Sequence, residues 1–260
     1  DQPFLLYVPH TMVHVPLGVS EKFKGKSGAG LFGDVVMEID WSVGQILDAI
    51  QHKGLEDNTL VIFTSDNGPE MESWPDSSYT PFRGSKGTTW EGGIRVPGIF
   101  YWKGMIEEGR TSDGLFDFCD LFPTFCALAG VGELPGDRFI DGVDQRGFLL
   151  ASSVPEDTYW AVDPAWSSNR VAVHSWLLDQ HSGVRMGGYK LMTCATEIDI
   201  HDTVTPGGFS GHNVQYTYGK TFNLFLDPKE EHSFTIRKLV LLPVISGIAA
   251  RHGATFKKYP

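Results

Sequence analysis

Asp66 and Asn67 stand directly behind an apolar, β-branched run, Thr59-Leu60-Val61-Ile62-Phe63-Thr64, and Gly68 and Pro69 turn the chain sharply after them. A carboxylate beside an amide oxygen suits a hard cation such as calcium, which takes oxygen ligands only. The same pair also fits an ordinary Asx-turn. Further along, Arg83 and Lys86 sit in a glycine-rich stretch, Arg83-Gly84-Ser85-Lys86-Gly87-Thr88-Thr89-Trp90-Glu91-Gly92-Gly93. Glycines let a backbone approach a ligand closely, and a lysine offers a mobile point charge for an anion. Read without its neighbours, this stretch is equally a surface loop.

Other patterns lack the context their chemistry needs. Gly28, Gly30 and Gly33 match G-x-G-x-x-G and open a helix, but polar residues 20–27 precede them where a nucleotide-binding unit requires a strand. Gly25-Lys26-Ser27 has Ser20 where a phosphate-binding loop needs its first glycine. His10 and His14 have the spacing of a zinc pair without its glutamate, and Pro9 and Pro16 forbid the helix that would align them. Cys119, Cys126 and Cys194 have no metal-ligand spacing and read as small buried hydrophobes.

The elements that must position these residues read as alternating strand and helix. Phe4 to Val8 is an apolar run expected as a buried strand. Residues 34–53 carry Val35, Ile39, Val43, Ile46, Leu47 and Ile50 at helical spacing, with Asp34 as a candidate cap and Gly54 as a stop. The strand ending at Ser65, a second at 95–102 and a short helix between Asp120 and Gly130 complete a doubly wound α/β layer with a mostly parallel sheet. In such sheets ligands bind at the carboxyl ends of strands, where Val8 and Ser65 both deliver polar residues. After Leu150 short segments at 171–178, 184–192 and 221–226, with a helix around 236–252, predict a small antiparallel subdomain. Residues 197–217 read as an exposed insertion. The division is thus a 1–150 α/β domain and a 151–260 subdomain.

The net charge of -11 and the lack of a Lys/Arg cluster argue against nucleic acid. No apolar run approaches the roughly 20 residues that span a bilayer.

Taken in order, His14-Val15-Pro16, Ser65-Asp66-Asn67-Gly68 and Gly84-Ser85-Lys86-Gly87-Thr88-Thr89-Trp90-Glu91-Gly92-Gly93-Ile94-Arg95-Val96-Pro97 resemble the sulfatase family of the alkaline-phosphatase superfamily. The likeness is that of the C-terminal part of such an enzyme. It implies an alkaline-phosphatase-like α/β fold, a mostly parallel sheet flanked by helices, with a small C-terminal antiparallel sheet and helix. It implies an arylsulfatase-like, calcium-assisted sulfuric ester hydrolase acting on a small sulfate ester or a sulfated carbohydrate. Asp66 and Asn67 are then calcium ligands, Lys86 holds the sulfate and leaving oxygen, His14 donates the leaving group's proton, and Arg83 joins the substrate contacts. The family's nucleophile is a formylglycine made within Cys/Ser-x-Pro/Ala-x-Arg, and no cysteine or serine here fits that pattern. The resemblance therefore implies a nucleophile in an upstream segment, the partner of this chain, with residues 1–260 inactive and poorly soluble alone. It also implies a secreted, periplasmic or lysosomal setting. Two alternatives stay open: a phosphodiester or phosphonate monoester hydrolase of the same fold, and a catalytically dead module that binds sulfated glycans. Trp74, Tyr79, Trp90 and the 197–217 insertion could line a pocket for a carbohydrate or an aryl ring and equally could pack internally.

Overall fold

A computed structural model describes residues 2–151, 168–197, 208–234 and 240–258. The first long element, α1 (Gly30–His52), presents the expected stripe, with Val35 buried and Ile39, Val43, Ile46, Leu47 and Ile50 half-buried. It begins one turn earlier than its sequence signal, so Asp34 does not cap it. Asp34 is instead buried, and its carboxylate accepts Gly25 N, Ser27 N and Ser27 Oγ at 2.7, 2.9 and 2.7 Å. These bonds, the Ser27 backbone first, hold its carboxyl below the usual range.

Two strands follow, β1 (Val61–Thr64) and β2 (Gly98–Tyr101), paired antiparallel with Val61 opposite Tyr101. No parallel ladder occurs among the described residues. The strand expected at Phe4 to Val8 is not formed, and these residues are 43–83% exposed. Apolar sequence alone does not make a strand; it needs a neighbour for its backbone, and none of the described residues supplies one. Between the strands a single helical turn, α2 (Glu91–Ile94), closes the glycine-rich stretch.

A 3₁₀ turn at Phe118–Asp120 leads into α3 (Leu121–Leu128), fixed by a capping box between Asp117 and Asp120. A further short helix is α4 (Arg146–Leu150). Asp120 is fully buried and accepts Arg170 Nε at 2.8 Å and Val143 N at 2.8 Å, tying the α/β part to the second half of the chain.

That half is a four-stranded antiparallel meander, β3 (Val173–Leu177), β4 (Gln180–Met186), β5 (Tyr189–Glu197) and β6 (His212–Asn223), covered by α5 (Leu241–Lys258). The run read as one strand at 184–192 is two, because Gly187 and Gly188 reverse the chain between β4 and β5. The expected strand at 221–226 is only the end of β6. Within the supposed insertion, residue 197 and residues 212–217 are strand, while 198–207 lie outside the described residues. The sheet packs two ways. One face buries Ala172, Val184 and Leu191 against Ile245 and Ile248 of α5. The other joins Met192, Ala195, Phe222 and Leu224 to Trp90 of the glycine-rich stretch. No helix among the described residues is long and apolar enough to cross a membrane.

Candidate active site

β1 delivers Ser65, and the two bends that follow carry Asp66 and Asn67. The glycine-rich stretch lies directly against them. Gly68 N donates to Gly93 O at 2.9 Å, and Lys86 N donates to Pro69 O at 2.9 Å. Only glycine fits at 68: a Cβ there would stand 1.8 Å from Gly92 O. The glycines read as ligand-approach residues thus serve first to let two backbone segments touch. Through them the Asp66-Asn67 turn and the Lys86 loop become one unit.

The Lys86 side chain then meets two residues. Its Nζ lies 2.9 Å from His14 Nε2 and 3.1 Å from Glu70 Oε2. His14 is an exposed residue of a turn at 12–16, and its Nδ1 is 2.7 Å from Val15 O. A carbonyl only accepts, so Nδ1 carries the proton and neutral Nε2 presents its lone pair to the ammonium. The tautomer is set by the backbone, and the lysine donates. An ammonium has three N–H groups, so one remains for a further acceptor. Glu70 also accepts Ser73 Oγ at 3.1 Å. The Lys86 hydrogen bond, chiefly, holds its carboxyl below the ordinary carboxylate range.

Asp66 is exposed, and its carboxylate has no hydrogen bond or ion pair among the described residues. Asn67 donates its Nδ2 to Gly68 O at 2.9 Å, which leaves its amide oxygen as an acceptor. Two hard oxygen donors therefore stand next to each other at the strand end, the chemistry calcium takes. Of the described residues, only Asp227, Glu231 and His232 gather three metal-ligating atoms closely, and the first of these already accepts the backbone N–H groups of the other two.

Arg83 is placed differently from its neighbours. Its Nη2 pairs with Glu197 at 2.7 Å, its Nη1 donates to Glu230 O at 2.8 Å, and its guanidinium stacks 3.8 Å over the Trp90 ring. Glu197 and Glu230 O tie the loop to the C-terminal half of the chain, while Trp90 belongs to the loop itself. Trp90, for which pocket wall and internal packing are both open in the sequence, is 1% exposed, donates its indole N–H to Thr196 O at 2.8 Å and belongs to the core. Trp74 and Tyr79 remain at the surface as a tilted ring pair 5.2 Å apart. Below the loop lies a buried charge cluster. Glu91 meets Arg185 at 2.7 Å and Lys190 at 3.1 Å, and Lys190 also meets Glu230 at 2.9 Å. Burial alone would raise Glu91, but Lys190 and Arg185 outweigh it and hold the carboxyl low; burial pushes Glu230 up.

Sequence reasoning missed Glu70 and this charge cluster. It also missed Phe209, which packs on Gly87 and stands 6.0 Å from Lys86 Nζ. No local signal marks any of them; each acquires its role from a partner distant in sequence. Of the cysteines read as small buried hydrophobes, Cys194 is buried, while Cys119 and Cys126 are half-buried. All three are free thiols, and burial, chiefly, pushes Cys119 up to about 12 and also raises Cys194.

Comparison with known proteins bears on the whole arrangement. The family model "Sulfatase" matches residues 1–131, and the model described as "Putative sulfatase AslA C-terminal domain" matches residues 182–257. Human arylsulfatase D is 45% identical over 146 residues, which are 54% of this chain and 24% of that protein. N-acetylgalactosamine-6-sulfatase of Canis lupus familiaris is 46% identical over 158 residues, 60% of this chain and 30% of that protein. The crystal structure of the PsFucS1 sulfatase from Pseudoalteromonas superposes with a TM-score of 0.86 at 37% identity, over 96% of this chain and 48% of that one. The chain thus spans half or less of the length of these proteins.

Proposed function

The chain belongs to the sulfatase family, and from that premise we propose that it forms the leaving-group side of a calcium-assisted sulfuric ester hydrolase. One observation carries the reading: Lys86 and His14, 72 residues apart, meet at 2.9 Å on the loop packed against the Asp66-Asn67 turn. A cation, a proton-carrying ring and two hard oxygen ligands are what a sulfate ester needs around it.

In this reading the free N–H of Lys86 binds a sulfuryl or bridging oxygen and stabilises the charge that develops there. His14 keeps its Nδ1–H on Val15 O and, when Lys86 turns its N–H to the ester and Nε2 takes up a proton instead, gives that proton to the departing alcohol oxygen. Asp66 and Asn67 hold calcium with ligands from elsewhere, since calcium takes six to eight oxygens. When bound, the ion neutralises charge on the sulfuryl oxygens. Arg83 holds the loop and does not touch the ester. The nucleophile is assigned outside these 260 residues, because no Cys/Ser-x-Pro/Ala-x-Arg pattern occurs in them. The substrate is a small sulfate ester or a sulfated sugar, in keeping with the names of the aryl and N-acetylgalactosamine sulfatases that resemble the chain. The setting would be secreted, periplasmic or lysosomal.

The test compares the 260 residues alone with the same residues joined to a sulfatase segment carrying the formylglycine pattern, assayed on nitrophenyl sulfate with and without calcium. The joined form should turn over in a calcium-dependent manner and the isolated chain should not. Turnover by the isolated chain would place the nucleophile within it, and no turnover by either form would overturn the hydrolase reading.

A further inference from the structure

Glu70 places a carboxylate where an anionic substrate must come. Its Oε2 is 3.1 Å from Lys86 Nζ, and the two side chains are only 25% and 19% exposed. Its other oxygen accepts Ser73 Oγ at 3.1 Å, so the group is held from both ends. The titratable groups facing it are the Lys86 ammonium from the glycine-rich loop and the His14 imidazole from the 12–16 turn, and the Lys86 hydrogen bond, chiefly, favours its ionised form. An ester oxygen taking the third N–H of Lys86 would stand about 5 Å from the Glu70 oxygen, the separation of two hydrogen-bond acceptors on one tetrahedral nitrogen.

Lys86 is therefore not an uncompensated cation. Its charge is already matched by Glu70, and an incoming anion meets a neutral pair whose negative end lies close by. A sulfate monoester brings one negative charge at every working pH. A phosphate monoester has the same shape but brings nearly two above its second ionisation, at roughly pH 6. We propose that Glu70 is a specificity-determining residue that favours sulfate over phosphate monoesters by repelling the second charge. This deepens the hydrolase reading and rests on it. At a separation of about 5 to 6 Å, one extra charge costs roughly fourfold in affinity with water-like screening and roughly a hundredfold at the effective dielectric of a partly buried site. A partly exposed pair lies between, so about tenfold is expected.

The experiment uses the intact, calcium-loaded enzyme with phenyl sulfate and phenyl phosphate, at pH 5 and pH 8. It reads both kcat/KM and calorimetric affinity. E70Q keeps the size of the side chain and removes its charge. It should shift the phosphate-to-sulfate ratio toward phosphate by about tenfold at pH 8, and by less than about threefold at pH 5, where phenyl phosphate is mostly a monoanion. S73A removes the other hydrogen bond to Glu70 and leaves the charge, so its ratio should match wild type at both pH values. A ratio that E70Q leaves unchanged, or shifts equally at both pH values, overturns the assignment while the hydrolase reading stands. A wild-type enzyme that neither binds nor hydrolyses phenyl sulfate overturns both.

Discussion

Lys190→Met tests how the glycine-rich loop is held. Lys190 is fully buried, with Nζ 2.7 Å from Thr89 O, 3.1 Å from Glu91 and 2.9 Å from Glu230, and both carboxylates are at most 1% exposed. Methionine fills a similar volume, so the substitution removes the charge and leaves little cavity. Arg185 still faces Glu91 at 2.7 Å, but the described ion pairs give Glu230 no other cation. Breaking a buried pair from one side costs about 3–5 kcal/mol, against about 0–1 for an exposed one. At about 2–4 °C per kcal/mol for a chain of this size, the midpoint of thermal unfolding should fall by roughly 10 °C. The loss should also depend on pH. Burial already raises Glu230 in the folded state, and without Lys190 it rises further. A raised carboxyl contributes stability below its unfolded value that is lost as pH rises through its folded value, so the variant should suffer more at pH 8 than at pH 5. Urea unfolding at both pH values checks this. A loss below about 1 kcal/mol, equal at the two pH values, would refute the view that this cluster anchors the loop.

Three further outcomes follow from the same geometry. Lys86→Ala should lower turnover of a sulfate ester by roughly 10²–10³, the cost of a preorganised charge stabiliser, as steady-state kinetics will show. His14→Ala should lose roughly 10²–10⁴ with poor leaving groups and much less with nitrophenol, which needs little protonation; equal losses across leaving groups would make His14 a positioning residue. His174 and His181 face each other at 3.0 Å, with His252 of α5 stacked 3.8 Å from His174, and burial pulls His174 down to about 4 and lowers His181. Depressed histidines contribute stability above their unfolded value that is lost as pH falls, so unfolding midpoints should drop between about pH 6.5 and 4, and His174→Phe should flatten that drop.

Much of the site was legible because its chemistry is written in short local patterns. A strand that ends in Asp66-Asn67-Gly68-Pro69 announces a polar turn at a sheet edge, and the glycines around Lys86 announce a close backbone approach. The stripe of α1 was legible for the same reason, since 3.6-residue periodicity is local. What the residues alone did not give was who meets whom. Nothing in the local sequence joins His14 to Lys86, and Glu70 looks like any loop carboxylate until the lysine reaches it. Lys190 reads as a surface residue by type, and only the facing Glu91 and Glu230 make its burial tolerable. Arg83 and Trp90 likewise take their places from distant partners. Their types suit a binding pocket, but Glu197, Glu230 and Phe222 draw them inward. The run from Phe4 to Val8 has strand composition without a strand partner among the described residues.

The most direct measurement is a crystal structure of the enzyme soaked with calcium and phenyl sulfate, with anomalous scattering used to locate both calcium and sulfur. The account predicts calcium on the Asp66 carboxylate and the Asn67 amide oxygen. It predicts a sulfuryl oxygen of the ester within hydrogen-bonding reach of Lys86 Nζ and its bridging oxygen toward His14 Nε2. Calcium and ester bound together at any other place, with Asp66 and Lys86 untouched, would contradict it.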